Sequence, residues 1–151
     1  MTPQTAGGLS KDSNAKSSGA FDELKPDLRK AQANLGGVGH VASVSWAVYD
    51  LRQATGGGSM PPVVVFSGLT GTFNQQALID KVSSAMSAGT MKKVSAGPHG
   101  GVAECAITSQ ADLCVWATNT TFGTLSIGSS GTRYGSNLAT LMVRMRNDLE
   151  K

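Results

Sequence analysis

Between residues 40 and 51 the sequence HVASVSWAVYDL sets Val44, Trp46 and Val48 on one side of an extended chain. Ser43, Ser45, Ala47 and Tyr49 fall on the other, which is the two-residue period of a half-buried strand. VVVF at 63–66 reads as a short strand covered on both faces. The period then lengthens. Over 73–88, Leu78, Val82, Ala85 and Met86 form one helical stripe, Thr72 with Gln75 offers a capping box, and Gly89 closes the helix. Short strands are expected over 91–96 and 121–127. A last helix over 136–150 has Ser136 as its cap, with Leu138, Leu141, Met142, Met145 and Leu149 inward and Arg144 and Asn147 outward. A shorter helix over 20–35 is expected from Phe21, Leu24, Leu28, Ala31 and Leu35, with Pro26 in its first turn and Gly36-Gly37 as its stop.

The pattern also echoes itself. GLTGTFNQQAL (68–78) and GSSGTRYGSNL (128–138) share G-x-x-G-T-x5-L, 60 residues apart, each between a strand and a helix. The expectation is an α+β domain over 20–151 with an antiparallel sheet of about five to six strands. The 73–88 and 136–150 helices pack it, in a tandem ββα arrangement. The polar stretch 1–19 is expected to be a flexible leader.

SAGPHGGVAECAITSQADLCVW (95–116) carries both cysteines and one of the two histidines. If Cys105 lies opposite Cys114 in an antiparallel hairpin, Ala103 meets Trp116 on the same face. Ala106 then meets Leu113, and Val102 meets Ala117, on the other. Only Glu104 beside Val115 conflicts with two buried faces. Directly opposed residues lie within disulfide reach, so a structural disulfide is the favoured reading. Free buried thiols, and a catalytic or metal-binding role, remain alternatives.

Of the 151 residues, 40% are apolar and 15% charged, with 19 glycines, which suits a secreted or surface domain with much β structure. The net charge of +3 is scattered, Lys92-Lys93 being the longest basic run. With 5% aromatics, the chain lacks the clustered basic and stacking surface that nucleic-acid binding needs. No stretch approaches the roughly 18 apolar residues of a membrane-spanning helix. VVVFSGLTGTF lacks the G-K-[ST] of a phosphate loop. Cys105, Cys114, His99 and His40 supply the soft ligands for a four-ligand zinc site without a zinc motif; no metal or cofactor is expected. His99 sits in a Pro/Gly turn with no carboxylate fixed near it, Glu104 lying five residues on. The NTT sequon at 119–121 reads as a polar turn.

TPQTAGGLSKD, VSAGPHGGVAEC, CVWATNTTFGTLSI and LATLMVRMRNDLE together resemble the extracytoplasmic domains of actinobacterial (Streptomyces-type) single-pass membrane proteins and lipoproteins of uncharacterised function. The resemblance implies a domain facing the cell envelope, attached through an anchor that this chain does not contain, with Cys105 and Cys114 bridged. It implies no activity. The expected function is therefore non-enzymatic: sensing, binding or scaffolding toward a protein partner or envelope component. The candidate surfaces are loops 52–62 and 95–101 (with His99) and the 128–136 turn. A small hydrolase or transferase using His99, and a regulatory ectodomain of an envelope signalling system, are the alternatives.

Overall fold

A computed structural model of the chain describes residues 2–12, 37–50, 63–85, 91–107, 111–128 and 137–151. The helix expected over 20–35, the 52–62 loop, the Ser136 cap and the 128–136 turn beyond Gly128 lie outside them. Eight strands run through the described residues: β1 (Thr5–Ala6), β2 (Leu9–Lys11), β3 (Gly39–Asp50), β4 (Val63–Phe73), β5 (Lys92–Val94), β6 (Val102–Ile107), β7 (Ala111–Ala117) and β8 (Thr121–Gly128). They form one curled antiparallel sheet in the order β1-β2-β3-β4-β8-β7-β6-β5. Helices α1 (Gln75–Ala85) and α2 (Leu138–Leu149) complete the described elements.

This corrects the expected five-to-six-stranded sheet packed by two main helices. The described residues are mostly sheet, and each of the two helices among them covers a different face. On one face Leu138, Leu141, Met142 and Met145 of α2 pack against Ala47, Tyr49, Val64, Phe66, Cys114, Trp116, Leu125 and Ile127. On the other, Leu78 and Ile79 of α1 pack against Phe73, Leu113, Val115, Ala117 and Phe122. Strand β7 lies between both layers, so it is apolar at nearly every position instead of alternating.

Two errors of expectation share a cause, which is glycine. Gly7-Gly8 is a two-residue hairpin turn with φ of +60° and +83°, pairing Ala6 with Leu9. Residues 2–12, expected as leader, therefore form β1 and β2. Ala6 and Leu9 enter the α2-side core, the Gly7 N–H donates to Asp148 Oδ2 (3.0 Å), and Tyr49 Oη donates to the Pro3 carbonyl (3.1 Å). Gly68, expected in a turn, lies inside β4 opposite Gly123 of β8. The Phe66 ring lies over one glycine and the Trp116 ring over the other, where a Cβ would overlap them. The two rings stack with centroids 6.0 Å apart.

Strand β4 thus runs on through Thr72, which pairs with His40. The cap of α1 is Asn74, whose Oδ1 accepts from the Ala77 N–H (3.1 Å). The helices start at Gln75 and Leu138, out of step with the 60-residue echo, and occupy opposite faces. The tandem ββα arrangement is overturned with them.

The cysteine hairpin has the register expected of it. Cys105 faces Cys114, Ala103 faces Trp116, Ala106 faces Leu113 and Val102 faces Ala117. The disulfide is formed, across a Cα–Cα distance of 4.1 Å. Glu104 does lie on the α1 face beside Val115, where the Ser83 hydroxyl donates to its Oε2 (2.7 Å).

Two outcomes follow from these contacts. Burial, reinforced by the Asp148 charge, pushes the Tyr49 phenol from its ordinary 10.0 up to about 12. The folded state holds that proton more tightly than the unfolded chain. The stability this contributes is complete below pH 10 and declines as pH rises from 10 to 12. Urea unfolding across that window should show the decline, and Tyr49→Phe should flatten it. For the disulfide, neither thiol should alkylate before reduction, and a Cys105→Ser/Cys114→Ser variant should lose roughly 2–3 kcal/mol in urea titrations.

Candidate functional site

The segment joining β5 to β6 is the proline- and glycine-rich loop 95–101. A hydrogen bond from the Gly100 N–H to the Gly97 carbonyl (3.1 Å) closes a turn with Pro98 and His99 at its corners. Left-handed backbone at Gly97, Gly100 and Gly101 (φ +81°, +69° and +91°) lets the chain lie flat. Gly97 packs against Val143 of α2, and Gly101 against the Ala117 carbonyl at the end of β7.

Arg146, in the last turn of α2, holds this loop down. It is fully buried, with 0% exposure. Its Nη1 donates to the carbonyls of Ala96 and Gly100, both at 2.7 Å, so one nitrogen grips both ends of the turn. Its Nε donates to Glu150 Oε2 (2.9 Å), one helical turn on. The Glu150 carboxylate is itself a junction: Oε1 accepts from Trp116 Nε1 (2.7 Å) and from the Thr121 hydroxyl (3.1 Å). A charge taken out of water is tolerated only when paired and hydrogen-bonded. Here the carboxylate and two carbonyls satisfy that condition. Nη2 makes no hydrogen bond among the described residues.

His99 stands at the mouth of this cluster, its side chain 33% exposed and its Nδ1 4.0 Å from Glu150 Oε2. The expected binding-loop residue thus has a carboxylate beside it after all, from the far end of the chain. Next to the loop is the β7–β8 turn. The Thr118 hydroxyl accepts from the N–H groups of Thr120 (3.1 Å) and Thr121 (2.9 Å), leaving Asn119 and Thr120 exposed at the tip. The carbonyls of Asn119 and Thr120 in turn accept from the Phe73 and Gly71 N–H groups (2.8 and 2.9 Å). His40, opposite Thr72, lies at this same end of the sheet, so the strand order brings both histidines to one rim.

Arg146 and Glu150 were not singled out by the sequence reading, although a signal was present. Arg146 continues the stripe of Leu138 and Met142 at four-residue steps, and Glu150 is the next step. An arginine on an apolar stripe with an acid four residues later marks a buried pair. Of the other expected positions, Cys105 and Cys114 are joined to each other and packed under α2. Among the described residues, no group of three or more His, Cys, Asp or Glu side chains forms a metal cluster. No helix among them is long and apolar enough to cross a membrane.

Comparison with protein-family models, with curated proteins and with solved structures gave no match to this chain.

Replacing Arg146 should be costly because its partners stay behind. Arg146→Met leaves Glu150 and two carbonyls without their donor, and roughly 3 kcal/mol should be lost in urea unfolding. Arg146→Lys should recover little, since an ammonium cannot reproduce the divergent Nε and Nη1 donors. Full stability of either variant would contradict this assignment.

Proposed function

We propose that this chain is a non-enzymatic binding domain that presents the 95–101 loop, with the neighbouring 118–121 turn, to a protein partner or cell-envelope component. The observation that carries the reading is Arg146, which pins both ends of the loop while Pro98 and His99 stay exposed. A loop ordered in advance loses less conformational entropy on binding than a free one. An extracytoplasmic setting is supported by the disulfide, a bond that persists in oxidising compartments; a membrane anchor is proposed from the resemblance to actinobacterial envelope proteins alone. A regulatory ectodomain would use the same surface.

The hydrolase or transferase reading draws less support. His99 lies beyond hydrogen-bond reach of Glu150, and the oxygens of that carboxylate already accept from Trp116, Thr121 and Arg146. That pattern belongs to a fixed structural group more than to a base poised for proton transfer.

Cross-linked capture from solubilised envelopes of the source cells tests the binding reading. Wild-type chain and a Lys92→Glu/Lys93→Glu variant, altered at the β5 edge, should retain the same protein or envelope polymer. Pro98→Asp/Asn119→Asp should lower retention by about tenfold. Equal retention by the rim variant, or nothing retained by wild type, would overturn it.

A further inference from the structure

We infer that docking of the β1–β2 hairpin on the last turn of α2 holds the 95–101 loop in its ordered form, so that undocking the hairpin releases the loop. As a means of regulating binding, this coupling rests on the reading of that loop as the presenting surface. Its basis is the way α2 ends. Leu141, Met145 and Asp148 form one stripe along the helix, and Val143, Arg146 and Glu150 form another, each at three- and four-residue steps. The first stripe meets the hairpin. Gly7 lies against Leu141 and Met145, and its N–H donates to Asp148 Oδ2 (3.0 Å). Ala6 and Leu9, both buried, share a core with the same two apolar side chains. The second stripe meets the loop. Val143 packs against Gly97, and Arg146 donates to the Ala96 and Gly100 carbonyls and to Glu150.

The turn that carries both stripes is the part of the helix most easily lost. The carbonyls of a last turn have no partners further along the helix, and helix ends open at far smaller cost than the body of a fold. Here the Glu150 N–H closes the turn by donating to the Arg146 carbonyl (3.0 Å), in place of a left-handed glycine. The order of the turn therefore depends on what packs against it. When it is formed, Asp148 meets Gly7 while Arg146 and Glu150 meet each other and the loop. When it frays, both attachments go together. The hairpin is itself small: β1 and β2 share two residue pairs, and β2 meets β3 at two more. A two-stranded hairpin has little stability of its own, so its docking is readily reversed. Two sites that bias one two-state element are coupled, and the coupling is reciprocal.

Amide hydrogen exchange of the full chain reads the coupling at three reporters: the Gly7 N–H for hairpin docking, the Glu150 N–H for the last turn and the Gly100 N–H for the loop. The Cys114 and Val115 amides of β7 report opening of the whole sheet. Leu9→Asp undocks the hairpin and leaves α2 and the loop unaltered. Gly7 should then exchange as an unstructured chain does, and Glu150 and Gly100 should exchange about tenfold faster than in wild type, with β7 still protected. Leu9→Met, which keeps the buried contact, should hold wild-type rates at all three. If Leu9→Asp opens the whole sheet, the reciprocal arm decides: Arg146→Met, with the hairpin unaltered, should speed Gly7 by about tenfold. Wild-type rates at Glu150 and Gly100 with Gly7 exchanging freely in Leu9→Asp, or a wild-type rate at Gly7 in Arg146→Met, would overturn the inference. No partner takes part in the exchange experiment, so its failure is distinct from a failure of partner capture.

Discussion

One buried guanidinium organises the end of the molecule that carries the 95–101 loop. Arg146 joins three parts of the chain that are remote in sequence: the loop carbonyls at Ala96 and Gly100, the end of α2 at Glu150, and, through Glu150, the indole of Trp116 and the hydroxyl of Thr121. Each of these groups would cost free energy if buried alone. Together they satisfy one another, so the loop, the helix end and the β7–β8 strands hold a single arrangement. The exposed tip at Pro98 and His99 inherits that order.

The cluster can exist because the sheet is closed on both faces. Helix α2 covers one and α1 the other, and β7 runs between them with apolar side chains directed both ways. Gly68 and Gly123 leave room for the Phe66 and Trp116 rings to stack against the sheet, which sets the Trp116 indole where Glu150 can accept from it. In the same last turn of α2, Asp148 ties the β1–β2 hairpin to the helix by accepting from the Gly7 N–H. The hydrogen bonds from Lys151 and from the Gly7 N–H hold the Asp148 carboxyl below its ordinary 3.8. That attachment is therefore an anionic one, present at neutral pH and lost in strong acid.

Local pattern made part of this legible. The spacing of Cys105 and Cys114 determined a hairpin register that the structure reproduces pair for pair, because side-chain alternation in a strand admits no one-residue slip. The inward stripe Leu138, Leu141, Met142 and Met145 was equally clear. What escaped were features whose reason lies in distant residues. Gly68 resembles a turn glycine until the Phe66 ring and β8 are placed beside it. Residues 2–12 are too polar to predict a strand until Ala6 and Leu9 meet α2, although Gly7-Gly8 is a hairpin signal in itself. His99 was recognised as a loop residue, but its carboxylate neighbour comes from the far end of the chain, and no local pattern announces it.

The account turns on the loop being ordered by Arg146 before any partner arrives. Backbone ¹⁵N relaxation of the unliganded chain measures that order most directly. The amides of Gly97, His99, Gly100 and Gly101 should give order parameters near those of β6 and β7, about 0.85. Values below about 0.6 in the presence of an intact Arg146 would contradict the central claim.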